Sequence, residues 1–132
     1  MQKTALVTGA SRGIGAAAAC GLAADGYLVA GVYCRSADAI EALRQEHGIV
    51  PIQADLAQPE TLPALAKTAL EQLGHVDVLV NNAACSYSNL FQCMPPEQVR
   101  QLYATNLTAV IELSRLLLPS MLSRKSGCII NI

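Results

Sequence analysis

The sequence predicts an α/β protein, a doubly wound parallel sheet with helices on both faces, and three observations carry that prediction. Apolar runs rich in branched residues alternate with helix-period segments from one end of the chain to the other. The first such run, Ala5-Leu6-Val7, feeds the glycine turn Thr8-Gly9-Ala10-Ser11-Arg12-Gly13-Ile14-Gly15, which opens an alanine-rich helical segment. No internal repeat or low-complexity linker interrupts the alternation, so 132 residues make one domain with length enough to bury a core.

Strands are expected at about 3–8, 27–33, 49–54, 77–81 and 127–132, and helices at about 13–25, 37–47, 60–73, 96–104 and 107–124. In the third helix Leu62, Leu65, Ala66, Ala69, Leu70 and Leu73 recur at helical spacing, forming one apolar stripe that ends at Gly74 and should face the sheet. Pro63 supplies no backbone donor, so this helix should start late, with Thr61 as its N-cap. Pro119 should kink the last helix for the same reason. Right-handed crossovers then give a three-layer sheet of five strands in the order 3-2-1-4-5. The carboxyl ends of strands 1 and 4 flank its switch point, and a ligand crevice should lie there.

The net charge of −1, with acids and bases scattered, offers no basic stripe for nucleic acid and no polybasic tail for a membrane. No stretch reaches the length of a membrane span and Met1 runs straight into a strand, so neither partner is expected and the location expected is cytoplasmic. Cys20, Cys34, Cys85, Cys93 and Cys128 form an odd set with no C-x-x-C pair, each in or beside an apolar run, and read as buried free thiols. Cys85 and Cys93 fall in a loop by the expected crevice, where a reactive thiol is conceivable. His47 and His75 adjoin Gly48 and Gly74, helix C-terminal positions where imidazole meets the last carbonyls; neither has a second ligand at metal spacing, and no metal is expected.

The glycine turn reads as a dinucleotide site. A strand, a tight turn and a helix N-terminus present backbone N–H groups and the positive end of the helix dipole at one point, where a pyrophosphate can sit. Side chains at the glycines would block the phosphates. An ordinary Gly-Ala-Ser loop is the alternative. Two motifs found independently, this turn and Asn81-Asn82-Ala83-Ala84, follow strands 1 and 4 and converge on the switch point. At the end of strand 2, Tyr33-Cys34-Arg35-Ser36 has no acid to bind a ribose 2′-hydroxyl and has a guanidinium to pair with a 2′-phosphate, which favours NADP(H) over NAD. Arg12 is a second cation in reach. A solvated charge leading a helix is the alternative for Arg35, but a cation there opposes the dipole.

The glycine spacing departs from the Rossmann G-x-G-x-x-G and resembles the short-chain dehydrogenase/reductase family. The resemblance runs through Thr8 to Gly15, Ala54-Asp55-Leu56, Asn81 to Ala84 and Thr105-Asn106-Leu107, and so covers essentially the whole chain. It implies a Rossmann-type NADP-binding domain over 1–132, with Gly9, Ser11, Arg12, Gly13, Ile14 and Gly15 around the phosphates and Arg35 and Ser36 at the 2′-phosphate. It implies that Asp55 accepts from the adenine amino group, that Leu56 packs on the ring, and that Asn82 and Ala83 form the floor beneath the ribose, with Asn81 holding the central strand. Ala84 stands where the family has glycine, and its methyl group crowds the cofactor. Asn106 matches the asparagine that holds a water in the proton relay and distorts its helix. A helix-leading cap is the alternative reading of Asp55, and an exposed or capping Asn between two helices that of Asn106.

The family's catalytic Ser, Tyr and Lys, the last two spaced Y-x-x-x-K, are not found. Four residues beyond Tyr27, Tyr33, Tyr87 and Tyr103 stand Gly31, Ala37, Phe91 and Leu107, and the lysines are Lys3, Lys67 and Lys125. The chain therefore reads as an N-terminal half, inactive alone, with strand 5 an exposed apolar edge and one sheet face short of a helix. The resemblance implies an NADPH-dependent oxidoreductase nearest the 3-oxoacyl-[acyl-carrier-protein] reductases, acting on a small or carrier-bound 3-oxoacyl thioester and associating with a second copy through its last two helices. A dehydrogenase of alcohols, sugars or steroids, and a non-catalytic NADP-binding or assembly module, are the competing readings.

Overall fold

A computed structural model describes residues 1–132. Five parallel strands, β1 (Thr4–Thr8), β2 (Leu28–Tyr33), β3 (Val50–Gln53), β4 (Val78–Asn81) and β5 (Cys128–Asn131), lie in the order β3-β2-β1-β4-β5. The helices are α1 (Gly13–Ala24), α2 (Ala37–His47), α3 (Leu62–Leu73), α4 (Pro96–Tyr103) and α5 (Ala109–Arg124). All five β1 residues are buried. Strand alternation sorts them between two cores. Ala5 and Val7 join Val29, Val80, Ala19 and Ile40 beneath α1 and α2. Leu6 joins Leu79, Ala30, Leu65, Leu113 and Leu117 beneath α3 and α5.

The apolar stripe of α3 faces the sheet as its spacing requires, with Leu62, Leu65, Ala66, Ala69 and Leu73 buried and Leu70 packed against them. Pro63 falls in the first turn, where no donor is needed, and the helix starts at Leu62 after a short 3₁₀ turn (Pro59–Thr61). Thr61 precedes the helix but does not cap it: its hydroxyl donates to the Gln58 carbonyl at 2.7 Å instead. The expected gap between the last two helices is also absent. A π-helical turn, Ala104–Thr108, joins α4 to α5 in one path, because a widened turn absorbs the extra residue without breaking the backbone ladder. Pro119 is taken into the interior of α5.

None of the cysteines is buried. Cys34, Cys93 and Cys128 are exposed and Cys20 and Cys85 half-buried, since β2 ends before Cys34, Cys93 closes a surface 3₁₀ turn and Cys128 opens an edge strand. β5 pairs only with β4, and Ile129 packs toward α3 and α5. Ile130 and Ile132 are exposed.

At the amino end of the sheet Asp77 ties four elements together. Its Oδ2 accepts the Thr4 N–H at 2.9 Å and lies 3.0 Å from His75 Nε2, while Oδ1 accepts Arg124 at 2.6 Å. Its backbone carbonyl accepts the Cys128 N–H at 2.8 Å. His75 therefore meets a carboxylate rather than the last carbonyls of α3, because Asp77 lies two residues along and is nearly buried beside it. Burial alone would raise the Asp77 pKa, but the Thr4 N–H, the Arg124 guanidinium and the neighbouring His75 outweigh it and hold the carboxyl below its ordinary 3.8. A depressed carboxyl stabilises the fold above its unfolded value and loses that contribution as pH falls through its folded one. Asp77→Ala should therefore cost roughly 3 kcal/mol at pH 7, the scale of one broken buried ion pair. Urea titrations should show this cost shrinking once the pH drops below 3.8, and a constant cost would contradict the assignment.

Candidate functional site

A cleft of ≈ 700 Å³ opens across the carboxyl ends of β3, β2, β1 and β4, where strand order reverses. The glycine turn forms its middle. Gly9 and Gly13 hold φ of 64° and 59°, left-handed values that favour glycine, and nothing stands over Gly13. Gly15 is buried under the turn and not in the cleft wall; a Cβ there would run into the Gly9 carbonyl oxygen. Helix α1 starts without a side-chain cap and without an acid in its first turn. Its orphan N–H groups and dipole thus end uncompensated at the cleft.

The floor is set by one hydroxyl. Thr8 Oγ1 accepts the backbone N–H of Asn82 at 3.0 Å and that of Ala83 at 2.9 Å. In return Asn82 Nδ2 donates to the carbonyls of Thr8 at 3.1 Å and Gly9 at 3.2 Å. The ends of β1 and β4 are thereby knitted to each other directly behind the glycine turn. Asn81 is buried and donates to Asn131 Oδ1 at 2.9 Å, tying β4 to β5. Neither Thr8 nor its role was legible from the turn's spacing; a hydroxyl as the last residue of the central strand is the signal that points to it.

Ser11, Arg12 and Ile14 line the cleft beside Gly9 and Gly13; Arg35 and Ser36 line it at the end of β2, and Asp55 and Leu56 after β3. Asp55 Oδ1 accepts the Ala57 N–H at 3.0 Å, closing its own turn rather than capping α3, and Leu56 is almost fully buried in the core beneath α3 and α5. Arg12 and Arg35 have no carboxylate partner. The other arginines do: Arg44 with Glu41, Arg100 with Glu97, Arg115 with Glu112 and Arg124 with Asp77. The two arginines without a carboxylate partner thus both line the cleft, together with Asp55 and the bare start of α1.

Asn82 and Ala83 line the cleft and Ala84 is exposed in its wall. Asn106 does not reach it. Its Oδ1 accepts the Cys85 N–H and its Nδ2 donates to the Cys85 carbonyl, both at 2.8 Å, so the amide is spent as a two-point clamp on a residue of the wall. The π-helical turn aims Asn106 at the loop after β4. Tyr87 and Gln101, which sequence reasoning missed, complete the wall at the β4 side. They lie fourteen residues apart, on a loop and on α4, and the Tyr87 hydroxyl donates to Gln101 Oε1.

No helix is long and apolar enough to cross a membrane. Among curated proteins, a 3-oxoacyl-[acyl-carrier-protein] reductase of Staphylococcus epidermidis is 42% identical over all of this chain and 56% of its own length. An acetoacetyl-CoA reductase of Paracoccus denitrificans is 40% identical over all of this chain and 54% of its own. Among solved structures, a metagenomic short-chain oxidoreductase in complex with NADP is 36% identical with a TM-score of 0.89, covering 98% of this chain and 61% of that one. The chain spans about half the length of these curated relatives. The family model described as short chain dehydrogenase matches residues 3–132, and this match together with the switch-point cleft establishes that the chain belongs to the short chain dehydrogenase family.

Proposed function

We propose that the protein carrying this chain is an NADPH-dependent oxidoreductase that interconverts a ketone and an alcohol, with 3-oxoacyl thioesters as its substrate class. One observation carries the cofactor choice: Arg12 and Arg35, the arginines without a carboxylate partner, line the cleft, and the end of β2 offers no acid. A bis-anionic 2′-phosphate fits such a place and a bare ribose diol gains nothing from it.

The cradle fits the rest of the cofactor. The bare start of α1 and the open backbone over Gly13 suit a pyrophosphate, with Ser11, Ile14 and Gly15 shaping the turn. Asp55 keeps Oδ2 for the adenine amino group, since Oδ1 is committed to Ala57, and Leu56 backs the ring. Asn82 and Ala83, fixed by Thr8, support the ribose, and Ser36 joins Arg35 at the phosphate. NADPH, when bound, supplies a hydride. The residues of this chain bind and orient; Asn106 acts as a positioning residue through Cys85. The likeness to reductases of 3-oxoacyl and acetoacetyl thioesters supports the substrate class.

A homodimer through the last two helices is part of this reading. Tyr103, Leu107, Ile111, Leu118 and Leu122 are exposed at near-helical spacing through the π-turn, opposite the buried Ala109, Leu113, Leu117 and Met121. The charges flanking that stripe pair within their own helices, Arg100 with Glu97 and Arg115 with Glu112, so the face is apolar and nearly neutral, which suits a self-complementary contact.

Three outcomes test these proposals. Arg35→Ala should weaken NADPH binding about tenfold to a hundredfold, the scale of one lost charge-assisted hydrogen bond, with NADH affinity changing far less. Equal losses in a fluorescence titration would sink the assignment. Thr8→Val leaves two backbone N–H groups without an acceptor and should cost roughly 2 kcal/mol of stability along with cofactor affinity, whereas Thr8→Ser should retain both. Sedimentation should show dimers or larger that Ile111→Glu dissociates, and a wild-type monomer at micromolar concentration refutes the interface.

A further inference from the structure

Arg35 lines the cleft exposed and with no carboxylate partner, so its aim at a ligand follows from the backbone that carries it. That backbone is the link from β2 to α2, where the strand has run out and the helix begins without a side-chain cap. Successive carbonyls along it are each met by a donor. Val32 accepts from the Ala10 N–H at 3.0 Å, Tyr33 from that of Ala54 at 2.9 Å, Arg35 from that of Ala37 at 3.0 Å and Ser36 from that of Ile40 at 3.2 Å. The Cys34 carbonyl is the one served by a side chain: Gln53 Nε2 donates to it at 3.1 Å.

Gln53 is the last residue of β3 and lies opposite Tyr33. After Ala54 the chain turns back on itself at Asp55, so the Gln53 amide extends the β2–β3 pairing by one step that the backbone no longer supplies. The place of that step matters. The Cys34 carbonyl belongs to the peptide group that ends at the Arg35 nitrogen, and the Arg35 carbonyl to the next peptide group. Gln53 holds the first plane and the Ala37 N–H the second. With both planes held, the two soft dihedrals of Arg35 are set, and with them the direction in which its side chain leaves the backbone. Cys34 and Gln53 are exposed, so water would serve either group if the bond were absent. The bond therefore adds little to stability and acts by restricting the link.

We propose that Gln53 is a positioning residue for the 2′-phosphate site, acting through Arg35 to sharpen the choice of NADPH over NADH. This rests on the reading of Arg35 given above and deepens it by naming what aims the guanidinium. A side chain whose backbone is already set loses less freedom when the phosphate arrives.

Gln53→Met keeps the length of the side chain and removes its donor. Fluorescence titrations of the full protein with NADPH and with NADH compare wild type, Gln53→Met, Arg35→Ala and the double variant. Gln53→Met should weaken NADPH binding about threefold to tenfold, the scale of one neutral hydrogen bond, and leave NADH binding and the urea midpoint close to those of the wild type. In the Arg35→Ala background the same substitution should change NADPH affinity by less than about twofold, because the group it positions is gone. An unchanged preference, equal losses of NADPH and NADH in Gln53→Met, or losses that simply add in the double variant overturn the positioning role and leave the Arg35 reading standing. An Arg35→Ala variant that loses NADPH and NADH equally overturns that reading, and the role of Gln53 falls with it.

Discussion

The Thr8 hydroxyl and the Asn82 amide hold the ends of β1 and β4 together, and the site depends on that junction. At the reversal of strand order the two chains leave the sheet in opposite directions, so their terminal backbone groups lose ladder partners where the cleft opens. The hydroxyl takes two orphan N–H groups and the amide serves two orphan carbonyls. Burial without those four bonds would cost more than the turn could return from packing. Because these bonds tie the two strand ends directly beneath it, the glycine turn can be open above and held below.

Charge is arranged on the same economy. Three of the six guanidinium groups sit beside acids three residues away on their own helix, exposed pairs worth little in stability but effective in cancelling local fields. Arg124 and Asp77 are spent on anchoring α5 to the start of β4. Arg12 and Arg35 are left without such a partner and line the cleft, where the start of α1 adds its own partial charge.

Helix α5 and the turn before it are fixed at both ends by polar contacts rather than by the apolar stripe alone. Asn106 grips Cys85 at the site end, and Arg124 grips Asp77 at the other, with Leu113 and Leu117 buried between. The π-helical turn is the local cost of this arrangement. A regular helix would rotate Asn106 away from the loop after β4, and the surplus residue lets the chain keep both the clamp and the buried stripe.

The sequence by itself determined the class, the strand order and the place of the cleft, because alternation, glycine punctuation and crossover handedness act through backbone geometry that any such chain shares. It placed α3 to within two residues, since Leu62, Leu65, Ala66, Ala69 and Leu73 repeat at the helical period. It misjudged features set by contacts far apart in the chain. The cysteines look buried by their apolar neighbours, yet edge and turn positions expose Cys34, Cys93 and Cys128. His75 looks like a helix stop, yet it meets Asp77 in a network reaching Thr4 and Arg124. Asn106 matches an asparagine that distorts its helix, and a π-helical turn forms there, but that its amide is consumed on Cys85 could not be read along the chain. Tyr87 and Gln101 carry no motif, and only the packing of α4 against the loop after β4 joins them. Local periodicity is written along the chain, whereas the partner of a polar side chain is decided by which distant backbone the fold leaves unsatisfied nearby.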